Sequence, residues 1–393
     1  MNQDNPLFDN ITDRKGTQSA KWNQYDEDVL PLWVADMDFQ SPQQIIDAII
    51  DRAKHGIFGY SFYYAEYFAV IKNWFKRHYN WKISEDWLAF TPGVIPAINI
   101  AIQAFTNPGD KIIIQNPVYY PFFGTIENNG RQIHFNPLKL QNRRYEMDLE
   151  DLNEKIKDPR VNLLILCNPH NPVGRVWSRN ELIDIGEICV ENKVLVIADE
   201  IHCDLIYPGY KHTNFASISE YFAMNTVTCT SLSKTFNLAG LQLSTILIPN
   251  PELHKRYSNT IERVFLPEEY GYLPNSLSLA AYTAGYDRCD DWLNSLLSYL
   301  ASNLEFLKSF IKDNIPQIDV IEPEGTYLVW LDFKKLGIPN DELENFLLQK
   351  AKIALDDGAK FGKGGEGFQR INIACPRTTL KEALKRIEKA VKN

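Results

Sequence analysis

At 393 residues the chain is too long for one simple core, which implies two domains. Its 45% hydrophobic and 23% charged residues are those of an ordinary globular protein, and a net charge of −9 argues against nucleic acid as the main partner. The six cysteines, at 167, 189, 203, 229, 289 and 375, show no C-x-x-C and no zinc spacing, so they read as reduced thiols and no metal site is expected.

The opening Met1-Asn2-Gln3-Asp4-Asn5-Pro6 is polar, without the apolar core of a signal peptide, and no run approaches a membrane span. A cytoplasmic location with no membrane partner is expected. Residues 1–40 read as irregular, and Leu32-Trp33-Val34-Ala35-Asp36-Met37-Asp38-Phe39 is an arm that either packs across a domain or reaches a pocket. Ser41-Pro42 predicts an N-cap with proline at the first helical position, and Ile45, Ile46, Ile49, Ile50 and Ala53 form the helix face. Tyr67, Phe68, Ile71, Phe75 and Tyr79 recur at helical spacing, as do Ile95, Ile98, Ile102 and Phe105 after Thr91-Pro92-Gly93-Val94. Glycine before a helix start either caps the helix or lets free N–H groups meet an anion.

From Lys111 the chain alternates. Strands are expected at Ile112-Ile113-Ile114, 132–135, 161–166, 194–198, 227–230 and 244–248, with a helix after Pro121 and another opened by the capping box Ser178-x-x-Glu181. Short apolar strands between amphipathic helices predict an α/β fold with a mostly parallel sheet covered on both faces. Beyond residue 285 long helices take over, with Trp292, Leu296, Tyr299, Leu300, Leu304, Leu307 and Ile311 along one of them. Strands at 327–333, 353–355 and 370–374 then make a second, smaller α/β unit. Phe265 to Tyr272 is read as a helix connection rather than a mobile lip, and His134, His212 and His254 as surface residues.

Ligands of a parallel sheet lie beyond the carboxyl ends of its strands. Strand 161–166 delivers Asn168-Pro169-His170-Asn171-Pro172-Val173-Gly174, strand 194–198 delivers Asp199-Glu200-Ile201-His202, and strand 227–230 delivers Ser231-Leu232-Ser233-Lys234. Each has a plain alternative: a turn asparagine, a solvated acid, a surface lysine. A partly desolvated lysine near other cations has a lowered pKa and can act as a nucleophile.

Together these motifs resemble the fold-type I pyridoxal-phosphate enzymes of the class I/II aminotransferase superfamily, and within it the MalY/PatB-type cystathionine β-lyases. The resemblance runs from Trp33-Val34-Ala35-Asp36-Met37-Asp38 to Arg370-Ile371-Asn372-Ile373-Ala374-Cys375-Pro376-Arg377. It implies a pyridoxal 5′-phosphate cofactor bound by a large domain, taken as residues 47–285, beside a small domain built from 1–46 and 286–393. Lys234 resembles the lysine that carries the cofactor and moves the Cα proton, and Asp199 the carboxylate that pairs with the ring nitrogen. His202 and Asn171 match positions at the ring hydroxyl, and Tyr119 the aromatic stacked on the ring. Gly93 and Val94 would give backbone N–H groups to the phosphate, and Ser231 and Ser233 hydroxyls. Arg370 matches the arginine that grips the substrate α-carboxylate, with Trp33 and Tyr60 as further substrate residues. Many relatives place an arginine eight residues after the lysine, where this chain has Gln242. Tyr60 matches a tyrosine that reaches the phosphate from a neighbouring subunit, so a homodimer with shared sites is expected. The implied activity is α,β-elimination on cystathionine or another cysteine S-conjugate. The alternatives are an aminotransferase with the same residues and a regulatory protein of the same fold acting through protein contacts.

Overall fold

The computed structural model describes residues 7–265 and 272–393. Successive side chains of a strand point to opposite faces, so an uninterrupted apolar run must be covered on both. Val161–Cys167 does this: Leu163, Ile165 and Cys167 enter one core, and Leu164 and Leu166 the other. Leu195–Asp199 and Thr226–Thr230 are buried at every position. The seven-stranded sheet has the order 88–91, 244–247, 226–230, 195–199, 161–167, 111–114, 132–135. Ser244–Leu247 runs antiparallel to both neighbours, and the remaining pairings are parallel. Leu88–Thr91, with four residues, was too short to carry a periodic signal.

Val94–Phe105 covers one face of the sheet. Arg179–Glu191 covers the other, its Ser178–Glu181 capping box closed in both directions. A second sheet, wholly antiparallel, has the order 319–321, 328–332, 368–372, 356–357. The helix Asp290–Asn314 buries the whole face from Trp292 to Ile311 that its spacing predicts. The N-terminal arm joins this region through Leu30–Pro31, parallel to Ile353–Ala354.

Three expectations are corrected. Ser41 does not cap the helix Gln43–Lys54; its hydroxyl donates to the Phe236 carbonyl at 2.9 Å, which ties the arm to the turn after Lys234. Of the predicted face only Ile45 is fully buried, and Ile50 is 44% exposed, because the helix packs along a narrower stripe than the apolar spacing allows. His212 is buried rather than superficial: its Nε2 lies 3.4 Å from Glu200, a fully buried carboxylate that also accepts from the Asn214 amide at 2.6 Å and the Phe215 N–H at 2.8 Å. A buried acid demands such partners. His134 and His254 are half-buried. Residues 266–271, most of the expected connection, lie outside the described residues. All six cysteines are buried free thiols, and among the described residues no helix is long and apolar enough to cross a membrane.

Candidate active site

Parallel pairing sets Cys167 beside Asp199, and Asp199 beside Cys229, so whatever follows these strands emerges at one edge. In the turn after Cys167 the first asparagine is consumed by the scaffold. Asn168 Oδ1 accepts from the Trp177 N–H at 3.1 Å, and its amide donates to the Thr213 carbonyl at 3.4 Å. Arg175, 2% exposed, braces the same turn between Glu324 (2.9 Å) and Glu181 (2.8 Å). Asn171 is left facing a cavity.

That cavity, about 200 Å³, is lined by Lys234, Asp199, Asn171, His202 and Tyr119, together with Gly93, Val94, Ser231 and Ser233. Gln242 also lines it, in the left-handed region at φ 51°. Ser231 spends its hydroxyl on the protein: it donates to the Leu243 carbonyl at 2.7 Å and accepts from the Ser233 N–H at 3.1 Å, capping the short helix Leu232–Thr235 that carries Lys234. The Ser233 hydroxyl has no such bond among the described residues.

Three expected site residues stand outside this lining. Arg370, 2% exposed, donates from Nη1 to Asn171 Oδ1 (2.8 Å) and from Nη2 to the Trp33 carbonyl (2.9 Å) and Asp356 (2.5 Å). Its buried Nε has no protein partner. Trp33 therefore meets the site through its backbone, while its ring lies edge-on to Tyr25. Tyr60 is 90% exposed and lines a separate surface groove with Phe58, Ser61 and Tyr272.

Burial dominates the electrostatics. It is the main cause that lowers Lys234 to about 8, with the Arg370 charge adding to it against the pull of Asp36 and Asp199. It raises Asp199 to about 7, against an Ile201 N–H bond of 3.1 Å, and no cation forms an ion pair with this carboxylate among the described residues. It holds His202 at about 3, helped by Lys234 and Arg370, so the imidazole is neutral and its buried Nδ1 is unpartnered. Tyr119 is pushed to about 12 and keeps its proton.

Sequence reasoning missed three contributors: the Ala35 carbonyl, the Tyr327 hydroxyl and Asp356. The Ala35 carbonyl accepts from both Lys234 Nζ (2.8 Å) and the Tyr327 hydroxyl (2.9 Å). It is held there because Asn237 clamps Met37 and Phe39, Asn372 donates to the Val34 and Asp36 carbonyls, and Asp38 is locked between Arg14 and buried Lys21, each at 2.8 Å. A backbone carbonyl has no side-chain signature to find. Asp356, the third, is one acid among 50 in the chain, and only strand pairing opposite Arg370 singles it out. Asp356→Ala would leave the buried guanidinium without its carboxylate. We expect a loss of about 3–5 kcal/mol in urea unfolding; a loss under about 1 kcal/mol would show that the pair contributes little.

The residues fit the implied cofactor. A buried carboxylate lacking a cation suits a ring N–H, an amine stands in the same cavity, and the free N–H groups opening Val94–Phe105 suit a phosphate. Comparison with known proteins agrees. A family model described as aminotransferase class I and II matches residues 27–387. The chain is 43% identical to cystathionine β-lyase PatB of Bacillus subtilis, over 98% of this chain and 99% of that one. The structure of cystalysin from Treponema denticola, which contains a pyridoxal 5′-phosphate cofactor, has 38% identity and a TM-score of 0.94, covering 98% of both chains. That of the PLP-bound C–S lyase from Staphylococcus hominis has 33% identity and a TM-score of 0.91, again over 98% of both. The chain belongs to the class I and II aminotransferase family.

Proposed function

We propose that the protein is a pyridoxal-phosphate-dependent carbon–sulfur β-lyase that cleaves L-cystathionine and related cysteine S-conjugates. The observation that carries this reading is the Lys234 amine, lowered to about 8, sharing one cavity with an Asp199 carboxylate that has no cation of its own. The near-full-length likeness to proteins named as lyases favours elimination over transamination.

When bound, the cofactor supplies an electron sink for charge developing at the substrate Cα. Asp199 would pair with the ring nitrogen and keep it protonated. Asn171 would offer its amide N–H and His202 its neutral imidazole to the ring oxygen, and Tyr119 would stack on the ring. The N–H groups after Gly93 and the Ser233 hydroxyl would hold the phosphate, with Gln242 in the same lining. Arg370, whose Nε is unpartnered, takes the α-carboxylate. With a pKa near working pH, the Lys234 amine is partly neutral and removes the Cα proton. The thiolate then leaves Cβ, and the remaining three-carbon fragment reacts with water to give pyruvate and ammonia. With cystathionine the thiol is homocysteine.

Two separate sheets, and the pairing of 30–31 with 353–354, support a large domain over 47–285 and a small one from 1–46 and 286–393. Ile57, Phe58, Tyr60 and Tyr64 are each 60% exposed or more on one short stretch, which supports a homodimer that covers them and brings Tyr60 to its partner's phosphate. Six buried reduced thiols suit the cytoplasm. Sedimentation is expected to give a dimer, and Tyr60→Phe to raise the cofactor Kd about tenfold; an active monomer, or unchanged cofactor retention, overturns the shared site.

The central test mixes holoenzyme with L-cystathionine, without a keto acid, and follows pyruvate and free thiol. Equal, sustained release of both supports the lyase. Neither product, with absorbance drifting to the pyridoxamine form until a keto acid is added, makes it an aminotransferase.

A further inference from the structure

We propose that Lys360 and Glu344 form a subsite for the far end of the substrate, with Lys360 taking a distal carboxylate and Glu344 a distal ammonium. The proposal rests on the lyase reading and assigns residues of this chain to the distal amino-acid end of the leaving group.

Arg370 sets where the α-carboxylate sits, and the residues around it lead outward to this pair. Asp356, on Arg370 Nη2, stands two residues before the turn Gly358–Phe361. The Phe361 ring lies 4.9 Å from the Arg370 guanidinium and edge-on to Tyr120 at 5.3 Å, so Lys360 is carried beside the arginine's surroundings. Lys360 Nζ donates to Glu344 Oε1 at 2.9 Å, with the two side chains 45% and 37% exposed. From the other side, Tyr25 lies edge-on to Trp33, whose carbonyl also holds Arg370.

The polar groups around this pair act on one another. After burial itself, the Tyr25 hydroxyl responds to Lys360, Glu344, Asp356 and Tyr120, and the Tyr120 hydroxyl to Asp356, Arg370 and Lys360. Burial lowers the Lys360 ammonium, but the bond and charge of Glu344, with Asp356 and Tyr25, more than reverse this and keep it charged. An exposed ion pair contributes little to stability. Such a pair, 45% and 37% exposed, is suited instead to exchange: a zwitterionic end supplies an anion to Lys360 and a cation to Glu344, turning one ion pair into two. A ligand with one distal charge satisfies only one partner, and an alkyl thioether neither.

The experiment uses holoenzyme and four amino acids: L-cystathionine, S-(2-carboxyethyl)-L-cysteine, S-(2-aminoethyl)-L-cysteine and S-ethyl-L-cysteine. Lys360→Met is expected to lower kcat/KM for cystathionine and the carboxyethyl compound about tenfold relative to S-ethylcysteine, mostly through KM. Glu344→Gln is expected to do so for the aminoethyl compound. General damage would lower all four alike, so ratios within about twofold of wild type in both variants overturn the subsite. Binding followed by cofactor absorbance reports the same ratios whatever reaction follows. Discrimination in binding without pyruvate release supports the subsite and overturns the lyase reading; pyruvate release without discrimination does the reverse.

Discussion

Lys234→Ala is expected to lower kcat for pyruvate release from cystathionine by at least about 10³-fold. Lys234 Nζ points into the cavity, where it meets the Ala35 carbonyl at 2.8 Å. The other buried lysine near the arm, Lys21, is held by Asp38 at 2.8 Å and cannot replace it. On the proposed reading the substitution removes both the covalent attachment point and the base, so activity and attachment should vanish together. Borohydride reduction of the wild-type holoenzyme should leave cofactor mass on the chain, and the variant should carry none. Activity above about a tenth of wild type, or persistent attached mass, would assign both roles to another amine.

Asp199→Asn is expected to move activity and stability in opposite directions. If Asp199 pairs with the ring nitrogen as proposed, a neutral amide cannot hold that nitrogen protonated in the holoenzyme, and kcat should fall about 10²–10³-fold. In the cofactor-free protein the same change relieves a buried charge. The Asp199 carboxyl titrates at about 7 in the folded chain against an ordinary value of 3.8. Below that ordinary value both states are protonated and nothing is lost. As pH rises from 3.8 toward 7 the unfolded chain releases a proton that the folded chain keeps, so stability falls; above 7 the loss is constant. The variant should therefore be more stable by up to about 4 kcal/mol at pH 8, and by less than half of that at pH 5. Urea unfolding of the cofactor-free proteins at the two pH values measures this. Equal stability at pH 8 would mean that Asp199 is not strained when the ring is absent, and that its fit to a ring N–H has been misread.

The strands were legible because buried parallel strands are nearly pure apolar runs, and the polar residues at their ends therefore stand out. Asp199 after Leu195-Val196-Ile197-Ala198 is such a case, whereas Thr226–Thr230, before Ser231 to Lys234, is legible from its β-branched residues instead. Helix faces were less legible. Spacing ranks residues by hydrophobicity, whereas packing picks the few that meet a neighbour, which is why Ile45 is buried and Ile50 is not. His212 was misread for a related reason: its partner Glu200 is polar, and nothing local announces that both are enclosed.

The sequence by itself determined the α/β class, the mostly parallel sheet and the chemistry offered at three strand ends, because these follow from local apolar patterning and the residues that interrupt it. Only the tertiary structure decided how that chemistry is tuned. The bonds that do so join Lys234 to Ala35 and Arg370 to Asn171, each across 199 residues of chain, and the shifts at Asp199, His202 and Lys234 arise chiefly from burial. Long-range pairing and desolvation belong to the packed chain as a whole, so no segment carries them alone.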